Sequence, residues 1–295
     1  MNDDARADYY EKVASELLER TKHNAWTGEW YLRGYFDDGT ALGMPGSEES
    51  EIDLNAQTWA VIADPTDAHA HQAMRSAEAK LFDEEHRLIK LLSPPFEKML
   101  PDPGYIKAYP PGVRENGGQY THASVWAGWA AAELGDTELA LRCLDWLNPL
   151  KRAKDDESIA HYRLEPYVMP GDVYGATPFT GRGGWSWYSG SAAWLYRFAV
   201  RQFLGLKRQG DRLFIRPSVP PSWREFKAEL SFGDAQYTLT IHHPGEYSST
   251  ELYVVENDRL WQDKAIDLGN AGHFNYDVFP SERTRANWLA VDQAQ

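Results

Sequence analysis

The stretch SGSAAWLYRFAVRQFLGLKRQGDRLFIRPSV, residues 189–219, holds two folding regimes on either side of Gly205. Ser189-Gly190-Ser191 opens a strongly apolar run that continues to about residue 204 and reads as a helix. Beyond Gly205 the texture changes. RLFIRPSV, KAELSFG, QYTLTIHHP and ELYVVEN cluster or alternate β-formers between turn residues, so 208–280 reads as antiparallel β, with 281–295 a short helix or tail.

Upstream of this switch the chain is helical. Residues 4–24 carry Tyr10, Val13, Leu17 and Leu18 at helical spacing on a charged segment. A second helix starts near Asp53 and is broken by Asp64-Pro65-Thr66-Asp67, where Asp67 N-caps a third that runs to about Phe82. Two more span about 119–134 and 137–148, joined at Gly135-Asp136, which with 189–204 makes six. WYLRGYFDDGTALG (30–43) is a strand-turn or loop. The proline- and glycine-rich connections 93–118 and 165–184 read as irregular, and connections of that length usually carry function or are disordered.

Composition narrows the class. The 295 residues include 42% hydrophobic and 25% charged side chains, the balance of a globular protein, and no stretch approaches the roughly 18 consecutive apolar residues of a membrane span. The acidic start, MNDDARADYYEKV, lacks the features of an export signal, so the expected location is cytoplasmic. A net charge of −14 disfavours nucleic acid or an anionic membrane as partner. The single cysteine, Cys143, excludes a disulfide framework and a multi-cysteine zinc site. Twelve Trp and 16 Tyr suit sugar faces, although most rings in any protein are core.

Two stretches bear chemistry. In YPPGVRENGGQYTHASVW (109–126), Arg114 and Glu115 sit in a glycine- and proline-bounded loop, with His122 just beyond. Such a loop before a helix suits ligand recognition, but on spacing alone the commoner reading is Glu115 as a cap, Arg114 as a surface ion pair and His122 as a structural residue. In RLEPYVMPGDVYGATPFTGRGGWSWYSGSAAWLYR (163–197), the helix opening at Ser189-Gly190 offers free N–H groups, a hydroxyl and no side chain at Gly190. That suits an anion, and an N-cap serine with a turn fits as well. Neither a P-loop nor GxGxxG is present. His69 and His71 point apart on a helix, His242 and His243 on opposite sides of a strand, and Asp37-Asp38-Gly39 lacks the other ligands of a calcium loop, so no metal is expected.

Taken together, WYLRGYFDDG, IDLNAQTWAV, YPPGVRENGGQYTHA, EPYVMPGDVYG, GRGGWSWYSGSAAWLYR and GDRLFIRPSVPPSWREF resemble glycoside hydrolase family 94, the inverting sugar phosphorylases. That family also contains the C-terminal part of cyclic β-1,2-glucan synthases, and the GRGGW and MPGDVYG wording is closest to the β-1,2-glucan branch. The resemblance implies a mainly α chain with a β-rich C-terminus: about half of an (α/α)6 barrel over 1–207, then a small antiparallel β domain over 208–280. It further implies that His122, Ser189 and Gly190 bind the attacking phosphate, with serine where the family more often has threonine. Sugar contacts fall on Tyr109, Arg114 (commonly Lys) and Glu115. Gly171-Asp172 stands where disaccharide enzymes carry a glutamine-bearing contact, which places Asp172 among the substrate-binding candidates.

One departure matters. The family's general acid is the aspartate of a Trp-Asn-Asp triplet well upstream of WYLRG, and no such triplet occurs in this sequence. The similar letters Asp145-Trp146-Leu147-Asn148 have a different place in the family. The resulting expectation is a phosphate and sugar wall without its acid, taking β-linked gluco-oligosaccharide and inorganic phosphate as substrates and needing no cofactor. Its completing partner would be an upstream family 94 polypeptide or a second copy. A catalytically silent carbohydrate-binding remnant, or a glucan hydrolase using Glu115, are the alternatives.

Overall fold

The computed structural model describes residues 3–246, 252–257, 259–269 and 271–286. The chain divides into two compact units, one of Met1–Leu134 with Cys143–Leu195 and the other of Gly135–Arg142 with Tyr196–Gln295.

In the first unit, α1 (Asp4–Ala25) is capped by Asp3 and buries none of its residues. α2 (Leu54–Ala63) begins at Asp53, whose carboxylate accepts from Asn55 N at 2.9 Å and Ala56 N at 3.3 Å and also pairs with Arg33. α3 (Ala68–Leu81) is capped by Asp67, which accepts from His69 N at 3.2 Å, as the sequence predicts. α4 (Thr121–Glu133) packs on α2, and its buried Ala127, Gly128, Ala130 and Ala131 let the two backbones approach closely. α5 (Thr137–Leu147), whose residues up to Arg142 are assigned to the second unit, buries Leu139, Ala140, Cys143, Trp146 and Leu147.

α6 (Asp156–Tyr162) has no apolar periodicity and escapes the sequence reading. It rests on a capping box in which Asp155 accepts from Ser158 N at 2.8 Å and Ser158 Oγ accepts from Asp155 N at 3.0 Å.

The two long connections are irregular but tied down. Buried Asn116 accepts from Phe96 N at 2.6 Å and donates to Phe96 O at 2.9 Å and Tyr109 O at 2.7 Å. Glu49 accepts from the backbone N–H groups of Glu97, Lys98 and Met99 at 2.8–3.0 Å. These bonds replace the secondary-structure partners the loop lacks. A Cβ at Gly175 would stand 2.6 Å from Gly117 O, so the 112–118 and 171–184 segments meet backbone to backbone.

α7 (Ser189–Arg197) runs into a π-helical turn, Phe198–Phe203, instead of continuing as a uniform helix. Leu204 N donates to Ala199 O at 2.8 Å, and Gly205 at φ 71° ends the run.

In the second unit, strands Leu206–Gln209, Arg212–Ile215 and Ile266–Asp267 form an antiparallel sheet. A five-stranded sheet has the order Glu225–Phe232, Asp234–His242, Ala271–Phe279, Leu252–Glu256, Arg259–Asp263. Three of its pairings are antiparallel, but Asp234–His242 and Ala271–Phe279 run parallel, which corrects the wholly antiparallel reading. Period-2 alternation marks which face is buried and is silent on a neighbour's direction. Here the hairpin 252–263 intervenes in sequence and returns the chain in the original sense. Ala235, Tyr237, Leu239 and Ile241 alternate along their strand and join Val254 and Val278 of the same sheet and Leu213 and Ile215 of the smaller sheet in one buried cluster. His242 closes its strand and stacks on Phe279, with centroids 4.5 Å apart, whereas His243 has left the strand at φ 47°. Residues 282–286 are helical, and the rest of the expected tail, 287–295, lies outside the described residues.

Candidate functional site

Every residue the sequence singles out for ligand binding lies in the first unit. The ribbon pairing Gln119 with Val173 and Tyr120 with Asp172 joins the two long loops and sets the frame. Thr121 N then donates to Gly171 O at 3.0 Å, fixing the start of α4 against the second loop.

His122 follows in the first turn of α4. Its ring lies among Trp126, Trp194 and Tyr120, at centroid distances of 4.6, 5.8 and 6.4 Å. Burial lowers its pKa, because the charged imidazolium would lose hydration there. Nε2 is buried with no hydrogen-bond partner, while Nδ1 points towards the start of α7. A Cβ added at Gly190 would stand 3.9 Å from His122 Nδ1 and 3.8 Å from the Tyr188 ring. His122 and Gly190, 68 residues apart in the chain, therefore meet. Ser189 is exposed beside Gly190, and buried Ser191 donates to Pro170 O at 3.0 Å, pinning the helix start to the second loop.

A second group forms around Arg114, which the loop holds at φ 50°, a left-handed conformation unusual for a bulky side chain. Its N–H donates to Asp172 Oδ2 at 2.9 Å, while Trp185 N donates to Asp172 Oδ1 at 3.3 Å. Asp172 thus clamps the first loop to the second. Burial raises the pKa of this carboxyl, opposed by the two N–H donors and the charge of Arg114. The Arg114 guanidinium lies over Trp185 at 4.5 Å and Tyr109 at 5.4 Å, and Nη1 donates to the Tyr109 hydroxyl at 3.4 Å. Burial disfavours its charge, but Tyr109, Asp172 and Glu115 more than offset that and raise its pKa. Glu115 Oε2 is buried without a partner.

Tyr120 bridges the two groups. Its hydroxyl is 2.7 Å from that of Tyr188, next to Ser189, and the charges of Glu115 and Arg114 both act on its phenol. Sequence reading missed Tyr120, Tyr188, Trp185 and Trp126. All four sit inside the quoted motifs, but an aromatic residue there looks the same whether it fills a core or lines a site. Trp185, Trp187 and Tyr167 are 58%, 67% and 73% exposed, rings whose faces are open to a flat polar ligand. Half-buried imidazole, helix-start N–H groups and a charged guanidinium favour an anion, and the rings beside them favour a sugar. Among the described residues no group of three or more His, Cys, Asp or Glu could hold a metal ion. His69 instead stacks on Trp26 at 4.4 Å, and His71 Nε2 lies 2.9 Å from Pro65 O.

The chain belongs to the glycosyl hydrolase 94 superfamily, whose catalytic-domain model matches residues 1–205. The cyclic beta-(1,2)-glucan synthase NdvB of Rhizobium meliloti (strain 1021) is 42% identical over 240 residues, covering 81% of this chain and 8% of that protein. Solabiose phosphorylase of Paenibacillus borealis is 30% identical over 234 residues, or 79% of this chain and 30% of that protein. N,N'-diacetylchitobiose phosphorylase of Vibrio furnissii is 27% identical over 273 residues, or 91% and 33%. The chain spans a third or less of the length of these relatives. Among its described residues no helix is long and apolar enough to cross a membrane.

Proposed function

We propose that this chain supplies the phosphate- and sugar-binding wall of an inverting phosphorylase acting on β-linked gluco-oligosaccharides, of β-1,2 type. In this reading residues 1–207 are about half of an (α/α)6 barrel, residues 208–280 are an accompanying β domain, and the general acid comes from further polypeptide. The observation that carries the reading is the approach of His122 Nδ1 to Gly190 at the start of α7. The β-1,2 assignment draws on the 42% identity to a protein named for making that linkage.

Inverting phosphorolysis breaks the C1–O glycosidic bond, with an acid giving its proton to the leaving oxygen while a phosphate oxygen bonds to C1 from the opposite face. Phosphate is already anionic and needs no base. The wall's task is to hold it in line, and well-oriented reactants can supply as much as about 7–11 kcal/mol of barrier lowering. A neutral His122 with its proton on Nδ1 donates to one oxygen, and the Gly190 N–H and Ser189 hydroxyl donate to others. Arg114, braced by Asp172 and Tyr109, faces the saccharide with Glu115. Without the acid, turnover falls by about 10²–10⁴.

Exposed Tyr9, Tyr10, Leu17 and Trp59 on α1 and α2, with an open groove of about 510 Å³ lined by Leu17, Leu18 and Trp59, support a completing polypeptide. The test is formation of sugar 1-phosphate from sophorose-type oligosaccharides by the chain alone and with the preceding part of a family 94 protein. Activity only in the mixture supports the reading, and glycan binding without turnover in either supports a silent remnant. The unpartnered Glu115 Oε2 favours a second reading, hydrolysis by Glu115. Phosphate-independent release of glucose that Glu115→Gln abolishes would establish it.

A further inference from the structure

Another cavity, of about 230 Å³, lies within the first unit, and none of the residues assigned above lines it. Its walls include Arg87, Lys151, Arg152, His161 and Tyr162, with Asp145 as the one carboxylate. Asp145 is already taken, pairing with Arg87 and, at 3.4 Å, with Lys151.

Two groups are left over. Arg152 donates through Nη2 to Arg87 O at 2.5 Å and Gln119 Oε1 at 3.4 Å, both neutral acceptors. Arg87 adopts φ 56°, the turn from which its carbonyl meets that guanidinium. Burial lowers the Arg152 pKa to about 10, which leaves it charged at neutral pH. Arg152 is half-buried, and a guanidinium partly withdrawn from water with only neutral acceptors is stabilised by an added counter-charge. The Tyr162 hydroxyl is the second. The side chain is buried against Leu88 and Val173, and its oxygen is fully covered with no partner. An unmet buried donor costs roughly 1–3 kcal/mol. Tyr162 and Arg152 line the same cavity, so one oxyanion that accepts from Arg152 and draws the covered Tyr162 hydroxyl onto it would meet both deficits.

We infer that this cavity binds a small phosphate dianion, free or as the phosphoryl group of a monosaccharide, at a site separate from the His122 wall. A guanidinium beside a hydroxyl donor, with Arg87 and Lys151 held near by Asp145, suits the multiple acceptor oxygens of a phosphate. The cavity has room for the phosphoryl group and part of a sugar, and Lys151 and His161 at its mouth are exposed. Gln119 connects the site to the ribbon, since it accepts from Arg152 while the next residue, Tyr120, pairs with Asp172.

The test is calorimetric titration of the full chain with inorganic phosphate, glucose 6-phosphate and citrate. Wild type is compared with His122→Ala, Tyr162→Phe and Arg152→Met. Binding of inorganic phosphate or glucose 6-phosphate should survive His122→Ala, weaken about tenfold in Tyr162→Phe and weaken a hundredfold or more in Arg152→Met. Tighter binding of glucose 6-phosphate than of inorganic phosphate identifies a sugar phosphate as the ligand, and equal binding identifies free phosphate. Tyr162→Phe removes only an unpartnered hydroxyl, so its melting temperature without ligand should hold or rise, which keeps the test valid if Arg152→Met does not fold. Loss of all phosphate and glucose 6-phosphate binding in His122→Ala overturns the inference. So does affinity unchanged in Tyr162→Phe, or citrate binding where neither phosphate compound binds.

Discussion

His122 Nδ1 stands 3.9 Å from where a methyl group at Gly190 would sit. That distance is ordinary van der Waals contact, so the fold itself does not require glycine there. Gly190→Ala should leave the melting temperature unchanged or raise it, alanine being the better helix former by roughly 0.5–1 kcal/mol. The same methyl occupies the space in which an anion would touch both groups, and phosphate affinity should fall tenfold or more. Thermal unfolding and phosphate titration on the one variant separate the two effects.

The His122 imidazole titrates below the ordinary histidine range because it is buried. A depressed pKa in the folded state stabilises above about pH 6.5, and that contribution is lost as pH falls through the folded value. The stability difference between wild type and His122→Asn should therefore shrink below about pH 6.5. Phosphate should raise the His122 pKa, since an adjacent anion favours the imidazolium. Ring-proton NMR with and without phosphate measures both.

Asp172 accepts two backbone N–H groups from different loops. Asp172→Asn turns one acceptor into a donor facing an N–H, and should cost about 1–3 kcal/mol in urea unfolding. Burial raises this carboxyl's pKa, a contribution to stability present at low pH and lost as pH rises through the folded value. Wild type should therefore lead the variant by most near pH 4 and by less at pH 7.

Asn116 is buried and makes three hydrogen bonds that close the 96–116 loop. Asn116→Ala strands Phe96 N, Phe96 O and Tyr109 O and should cost about 2–4 kcal/mol. Proteolysis should then begin within 93–118, and it should not in wild type.

Much of this architecture is legible in the amino-acid order because punctuation there is strong. Asp67 after Pro65 sets the start of α3, and Gly205 divides helix from strand. α6 was hidden because its seven residues, DESIAHY, are too few to show an apolar period, and only the Asp155/Ser158 box marks it. The π turn at 198–203 leaves no trace in an apolar run, and the parallel pairing at 234–242 is set by where a distant strand returns. At the candidate site the polar residues stood out, since Arg114, Glu115 and His122 interrupt glycine-rich text. Their supports did not. Tyr120 with Tyr188, and Arg114 with Trp185, are contacts across 68 and 71 positions that no local pattern encodes.

The central claim is that His122 and the start of α7 grip a phosphate. A crystal of the full chain grown with inorganic phosphate tests it most directly. An anion with oxygens about 2.7–3.2 Å from both His122 Nδ1 and the Gly190 N–H is the predicted result. Saturating phosphate that leaves this position to water, with His122 Nδ1 bonded elsewhere, would contradict it.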